Sequence, residues 1–98
     1  MAFVRIGKFK AKQERVVEIC LTYEKEAIPM IRKAEGNISA ALLQEKTAPD
    51  SFLAISVWQT EEDAVAYERS GLAQEMVNKI RSDFAAPPTL ITYNAFGI

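Results

Sequence analysis

The stretch SFLAISVWQTEEDAVAY, Ser51 to Tyr67, decides how this chain folds. Its first part, Phe52-Leu53-Ala54-Ile55-Ser56-Val57-Trp58, is too continuously apolar for a strand with one wet face. Within two residues it turns into Thr60-Glu61-Glu62-Asp63, the start of a helix. Thr60 is the N-cap, Asp63 sits where a capping-box acid belongs, and Glu61 and Glu62 meet the positive end of the helix dipole. That acidic cluster therefore reads as capping and solvation, not as an acid–base pair. A strand apolar on both faces belongs in the middle of a sheet, so the rest of the chain must supply its neighbours and its cover.

On the N-terminal side, Thr47-Ala48-Pro49-Asp50 reads as a four-residue turn, because proline presets a turn angle and aspartate bonds back to the backbone. It joins the apolar strand to Asn37–Lys46 as an antiparallel hairpin, and the polar end Gln44-Glu45-Lys46 suits a sheet edge. From Lys12 to Ala34 the pattern is helical, with Val16, Cys20, Tyr23, Ala27, Met30 or Ile31, and Ala34 at steps of three and four. Pro29 falls inside this stripe and predicts a kink or a break. Gly36 then supplies a left-handed C-cap. The first strand, Ala2 to Phe9, points Val4 and Ile6 one way and Phe3 and Phe9 the other, with Arg5 and Gly7 between them.

On the C-terminal side, the second helix carries Ala64, Tyr67, Leu72, Met76, Ile80 and Phe84 as a ragged stripe. Ser70-Gly71 interrupts it, and Ser70 can cap a restart. Pro87-Pro88 forbids further helix, leaving Thr89 to Phe96 as the last strand.

The order is β-α-β-β-α-β over a single domain, residues 1–98. It predicts an α+β, ferredoxin-like protomer: a four-stranded antiparallel sheet, strands one and three central, with two helices on one face. Two helices can cover only that face. If they cover Phe3, Phe9, Phe52 and Trp58, then Val4, Ile6, Leu53, Ile55 and Val57 are left over; the reverse assignment leaves the aromatics. Either way several hundred Å² of apolar sheet would be exposed, roughly the size of an interaction surface. A homodimer through sheet-to-sheet packing is the simplest remedy.

Composition narrows the function classes. The chain has 98 residues, 49% hydrophobic and 26% charged, the balance of an ordinary globular protein. Lys and Arg number 12 against 13 Asp and Glu, so no basic field attracts nucleic acid or an anionic membrane. One cysteine, Cys20, excludes an intramolecular disulfide framework, and its place on the helix stripe makes it a small hydrophobe. Met-Ala-Phe-Val-Arg lacks the features of a signal peptide, so a cytoplasmic protein is expected. The sequence shows neither a metal-ligand cluster nor a glycine-rich phosphate loop; no metal and no cofactor are expected.

Phe52 to Trp58, then Gln59-Thr60-Glu61-Glu62, Ala66-Tyr67 and Ser70, and later Pro87-Pro88 before Leu90-Ile91-Thr92-Tyr93, resemble the antibiotic biosynthesis monooxygenase domain. The resemblance runs from Phe3 to Tyr93. It implies a dimeric α+β barrel with a pocket between sheet and helices. Carried onto this chain, that pocket uses Trp58 at the end of the third strand and Tyr67 on the second helix. The Arg5, Gly7, Phe9 face of the first strand turns toward it, with Ser56 beside it. Tyr23, on the first helix stripe, completes the candidates. No catalytic residue is assigned among them.

The resemblance further implies a cofactor-independent monooxygenase of a small aromatic, quinol- or anthrone-like substrate, in which the deprotonated substrate itself reduces oxygen. The alternative is a small-ligand-binding or structural homodimer without catalysis. The haem-degrading branch ranks third, because it needs an asparagine near Gly7 and a histidine near Val77 and the chain has no histidine. Without histidine, proton removal falls to water, the substrate, a tyrosine or a shifted carboxylate.

Overall fold

A computed structural model describes all 98 residues, Met1–Ile98. Four strands, β1 (Ala2–Lys10), β2 (Asn37–Glu45), β3 (Ala48–Trp58) and β4 (Thr89–Ala95), form one sheet in the order β2-β3-β1-β4. All three strand pairs are antiparallel, with β3 and β1 in the centre. The two-faced apolar strand thus sits where its composition requires. No helix is long and apolar enough to cross a membrane.

The first helical region is broken, and earlier than proline alone would suggest. A 3-10 turn, Gln13–Arg15, leads into α1 (Val16–Thr22), then a π-helical turn, Tyr23–Ala27, then α2 (Ile28–Arg32). Pro29 lies in the first turn of α2, where its missing N–H costs little. In an unbroken α-helix its ring would clash with the carbonyl one turn back, and the π-helical turn just before it widens the helix there. Gly36 takes φ +79° after this region, as its C-cap role requires. A Cβ there would run into the Asp63 side chain, so two reasons hold glycine at this position.

The hairpin corrects the four-residue turn. β3 begins at Ala48, which pairs with Glu45, so the loop is only Lys46-Thr47 and the register is irregular between Gln44 and Glu45. Pro49 falls in that irregularity, beyond the Lys10–Ser51 pair that ends the ladder with β1. Its missing donor is not needed there. Gln44 Nε2 instead donates to the Pro49 carbonyl at 2.7 Å.

The second helical region is α3 (Glu61–Arg69) and α4 (Leu72–Ile80). Asp63 N–H donates to Thr60 Oγ1 at 3.2 Å, the expected cap. Gly71, at φ +86°, occupies the junction, and Leu72 N–H donates to Ser70 Oγ at 3.3 Å. The restart is therefore shared: glycine turns the chain and serine supplies the oxygen.

The helices take the aromatic face. Phe9, Ala11, Ile19 and Phe52 form one buried cluster, packed against Val16, Cys20 and Tyr23. Phe9 stacks on Phe52 with centroids 5.2 Å apart and on Tyr23 at 5.7 Å. A second cluster joins Trp58, Ala64 and Tyr67. The opposite face keeps its apolar side chains in the open: Leu43, Ile91 and Tyr93 are exposed, and Val4, Ile6, Leu53 and Ile55 are only half-buried. Val57 alone among the leftover residues is buried.

Candidate functional site

Alternation along β1 and β3 decides where space is left. On the helix-covered face the paired residues are Phe9 with Phe52, Gly7 with Ala54, Arg5 with Ser56, and Phe3 with Trp58. Bulky aromatic pairs stand at both ends; between them lie the small pair Gly7 and Ala54 and the small Ser56 opposite Arg5. The helices bridge from one aromatic pair to the other, and the small residues Gly7, Ala54 and Ser56 leave a hollow beneath them. Its volume is about 170 Å³. For scale, an engineered cavity of about 150 Å³ accepts benzene.

The floor is Gly7, Ala54 and Ser56; Tyr23, Met30 and Ile31 wall one side, and Met76 and Val77 of α4 another. Trp58 and Tyr67 close the end, with ring centroids 5.4 Å apart and planes tilted by 34°. An ion pair from Lys79 to Glu26 ties α4 to the π-helical turn, two of the segments over the hollow. A wider depression on α3, lined by Glu61, Glu62, Arg69 and Ser70, is shallow and open to solvent, so it offers a ligand little enclosure.

Arg5, Tyr23, Ser56, Trp58 and Tyr67 are brought together around this one hollow. Phe9, on the same strand face as Arg5 and Gly7, does not line it; it fills the neighbouring cluster. Ala54 and the α4 residues Ala73, Met76 and Val77 also line the hollow, and the sequence did not mark any of them as a pocket residue of this chain. One signal was present for Ala54: small residues at matching positions of two strands destined to pair.

The polar groups are few. Trp58 Nε1 donates to Ser56 Oγ at 2.9 Å, which orients the indole and leaves the serine proton free for another acceptor. Tyr67 is 7% exposed, and its buried hydroxyl has no hydrogen-bond partner. Burial pushes the Tyr67 phenol up, and the nearby Arg5 charge only partly offsets this. Burial likewise pushes Tyr23 up to about 12. Both phenols are therefore protonated at neutral pH and act as donors, not as bases.

Arg5 projects from a central strand, with its side chain 16% exposed. Its only ion-pair partner is Glu68, 3.7 Å away and itself 60% exposed. Such a pair is long and screened, so it anchors the guanidinium without neutralising it. No carboxylate lines the hollow. Nor does any group of three His, Cys, Asp or Glu side chains come together to hold a metal ion. The site is an apolar slot, about one aromatic ring in size, with a cation and hydroxyl donors at its polar end.

Residues 2–79 match the family described as antibiotic biosynthesis monooxygenase. No protein of curated function matches the chain. Among solved structures, a provisionally assigned antibiotic biosynthesis monooxygenase from Nitrosomonas europaea is similar with a TM-score of 0.87 at 18% identity, covering 98% of this chain and 91% of that one. One from Bordetella bronchiseptica, likewise provisionally assigned, has a TM-score of 0.83 at 21% identity, covering 97% of both chains. A conserved protein from Methanosarcina mazei has a TM-score of 0.86 at 22% identity, covering 95% and 91%. At these identities the likeness is one of fold.

Proposed function

Because the chain belongs to the antibiotic biosynthesis monooxygenase family, we propose that it is a cofactor-independent monooxygenase of a small quinol-type aromatic. The observation that carries this reading is the hollow between sheet and helices, apolar on its walls and supplied at one end with a cation and hydroxyl donors. In such a site a hydroquinone ionises, and its electron-rich ring reduces oxygen directly. The O–O bond breaks, one oxygen atom bonds to ring carbon, and the other leaves as water with two protons from the substrate. The substrate supplies every electron, so the product is a hydroxyquinone. The protein contributes orientation, an apolar-walled slot and stabilisation of the anion. The volume favours a one-ring quinol over a three-ring anthrone, whose fused core exceeds it.

Sheet-to-sheet homodimerisation belongs to the same reading, supported by the open apolar face that carries Leu43, Ile91 and Tyr93. So does a cytoplasmic location, which cell fractionation checks. A second reading has its own support: the lining groups hold an anion but include no base, which suits a non-catalytic binding dimer equally well. Oxygen uptake with a panel of hydroquinones and anthrones, without added metal or flavin, separates the two. Uptake that scales with protein supports the monooxygenase, whereas tight binding of a panel member without uptake above background selects the binding dimer.

A further inference from the structure

Three groups at the polar end of the hollow share one property. The Arg5 guanidinium donates and carries positive charge, the Ser56 hydroxyl has a proton to give once its oxygen has accepted from Trp58, and the Tyr67 hydroxyl is buried without a partner. No lining residue carries negative charge: the other titratable lining group is Tyr23, and the one nearby carboxylate, the exposed Glu68, meets Arg5 at 3.7 Å from α3 outside the lining set. The Tyr67 hydroxyl makes no hydrogen bond within the protein, so its proton is available to an acceptor bound in the hollow. The opposed pair Arg5 and Ser56 sits beside the opposed pair Gly7 and Ala54. An aromatic ring lying over the small residues would therefore present its edge oxygen to the donors.

We infer that the hollow selects the anionic form of a one-ring aromatic oxygen acid, with Arg5 as the specificity-determining charge and Tyr67 as the donor that completes the anion's shell. This deepens the proposed function and rests on it for the identity of the substrate. It supplies what a chain without histidine lacks. The site needs no protein base, because a fixed cation in a low-dielectric slot lowers the ligand's own ionisation midpoint and the proton leaves to water. The anionic oxygen can be a phenolate or a carboxylate, and the test separates the two.

4-Nitrophenol is a suitable probe: it ionises near neutrality, its anion is coloured, and it does not undergo the quinol reaction. With the protein in excess, its ionisation midpoint is expected to fall by about one pH unit or more, equivalent to roughly tenfold tighter binding of the anion than of the neutral form. Arg5→Gln should abolish the shift and weaken anion binding roughly tenfold, while Arg5→Lys, which keeps the charge, should restore part of it. Circular dichroism of each variant confirms that it is folded. Benzoate competing for the probe identifies a carboxylate as the charge source; its failure to compete identifies a phenolate; both uphold an anion site. An unshifted or raised midpoint, equal binding by Arg5→Gln, or no binding at any pH would overturn the inference. Anion binding without oxygen uptake would sink the oxygenase reading alone. Oxygen uptake indifferent to Arg5 would sink this inference alone.

Discussion

Replacing Tyr67 by Phe removes one oxygen atom and leaves the ring in place. That atom is buried and without a partner, while the ring packs on Trp58 with centroids 5.4 Å apart. A hydroxyl buried without a hydrogen bond costs about 1–3 kcal/mol, and phenylalanine carries no such cost. Tyr67→Phe is therefore expected to stabilise the free protein by about 1 kcal/mol, with about 3 kcal/mol as the ceiling. For a domain of this size each kcal/mol corresponds to about 4–8 °C in Tm. Urea unfolding followed by the fluorescence of Trp58, the only tryptophan, reads the change directly. The midpoint should rise with the slope unchanged. Both proteins must be compared at one concentration, since assembly would couple stability to concentration. Ligand binding should move the opposite way: losing a donor to an anionic oxygen removes about 1.5–3 kcal/mol, a tenfold or greater loss of affinity. A Tyr67→Phe protein destabilised by 1 kcal/mol or more would refute the reasoning, because the hydroxyl would then be bonded in the free protein and not held in reserve.

Gly7→Val should also trade binding for stability. A Cβ there meets only Ala54 atoms at 3.9 and 4.0 Å, ordinary contact, and a β-branched residue suits a strand, so urea unfolding should show a gain of about 0.5–1 kcal/mol. Its methyl groups would occupy the floor of the hollow, so calorimetry should find 4-nitrophenol binding lost. On the open face, light scattering should give a dimer mass for the native chain and a monomer mass for Ile55→Glu, since a charge at the centre of packed sheets goes uncompensated. A native chain that scatters as a monomer would remove the sheet-packing argument. At high pH the half-buried Tyr23 makes stability fall. Tyr23 is raised from 10.0 to about 12, so its contribution is complete below pH 10 and is lost as the pH climbs toward 12, where only the unfolded chain releases the proton readily. Two pH units at one proton correspond to about 2–3 kcal/mol, and unfolding curves across that window, compared with Tyr23→Phe, should show the difference.

Element order, the central place of β3, the polar edge strand, the Thr60 cap and the Gly36 turn were all legible from local signals. Each rests on a period, a proline or a cap within a few neighbouring residues, and such signals survive without knowledge of the rest of the chain. Where neighbours interfere, local reading slips. Pro49 suggests a wide turn only until the β1 ladder is seen to end at Ser51, and Pro29 marks a break without saying that it takes the form of a π-helical turn before it.

The candidate site divides the same way. Arg5, a charge on a central strand, and Tyr23, an aromatic on the helix stripe, stand out in the chain itself, whereas Trp58, Tyr67 and Ser56 came from the family resemblance. Whether they meet around a space was not visible. The hollow exists because the antiparallel register sets Gly7 against Ala54 and Arg5 against Ser56, between the bulk of Phe9–Phe52 and of Phe3–Trp58. The sequence by itself determined a two-faced central strand and hence a sheet with one face left bare. Only the tertiary structure decided which face the helices cover and that small residues coincide beneath them. Periodicity is a property of neighbours along the chain, whereas a cavity depends on which distant residues are brought opposite one another.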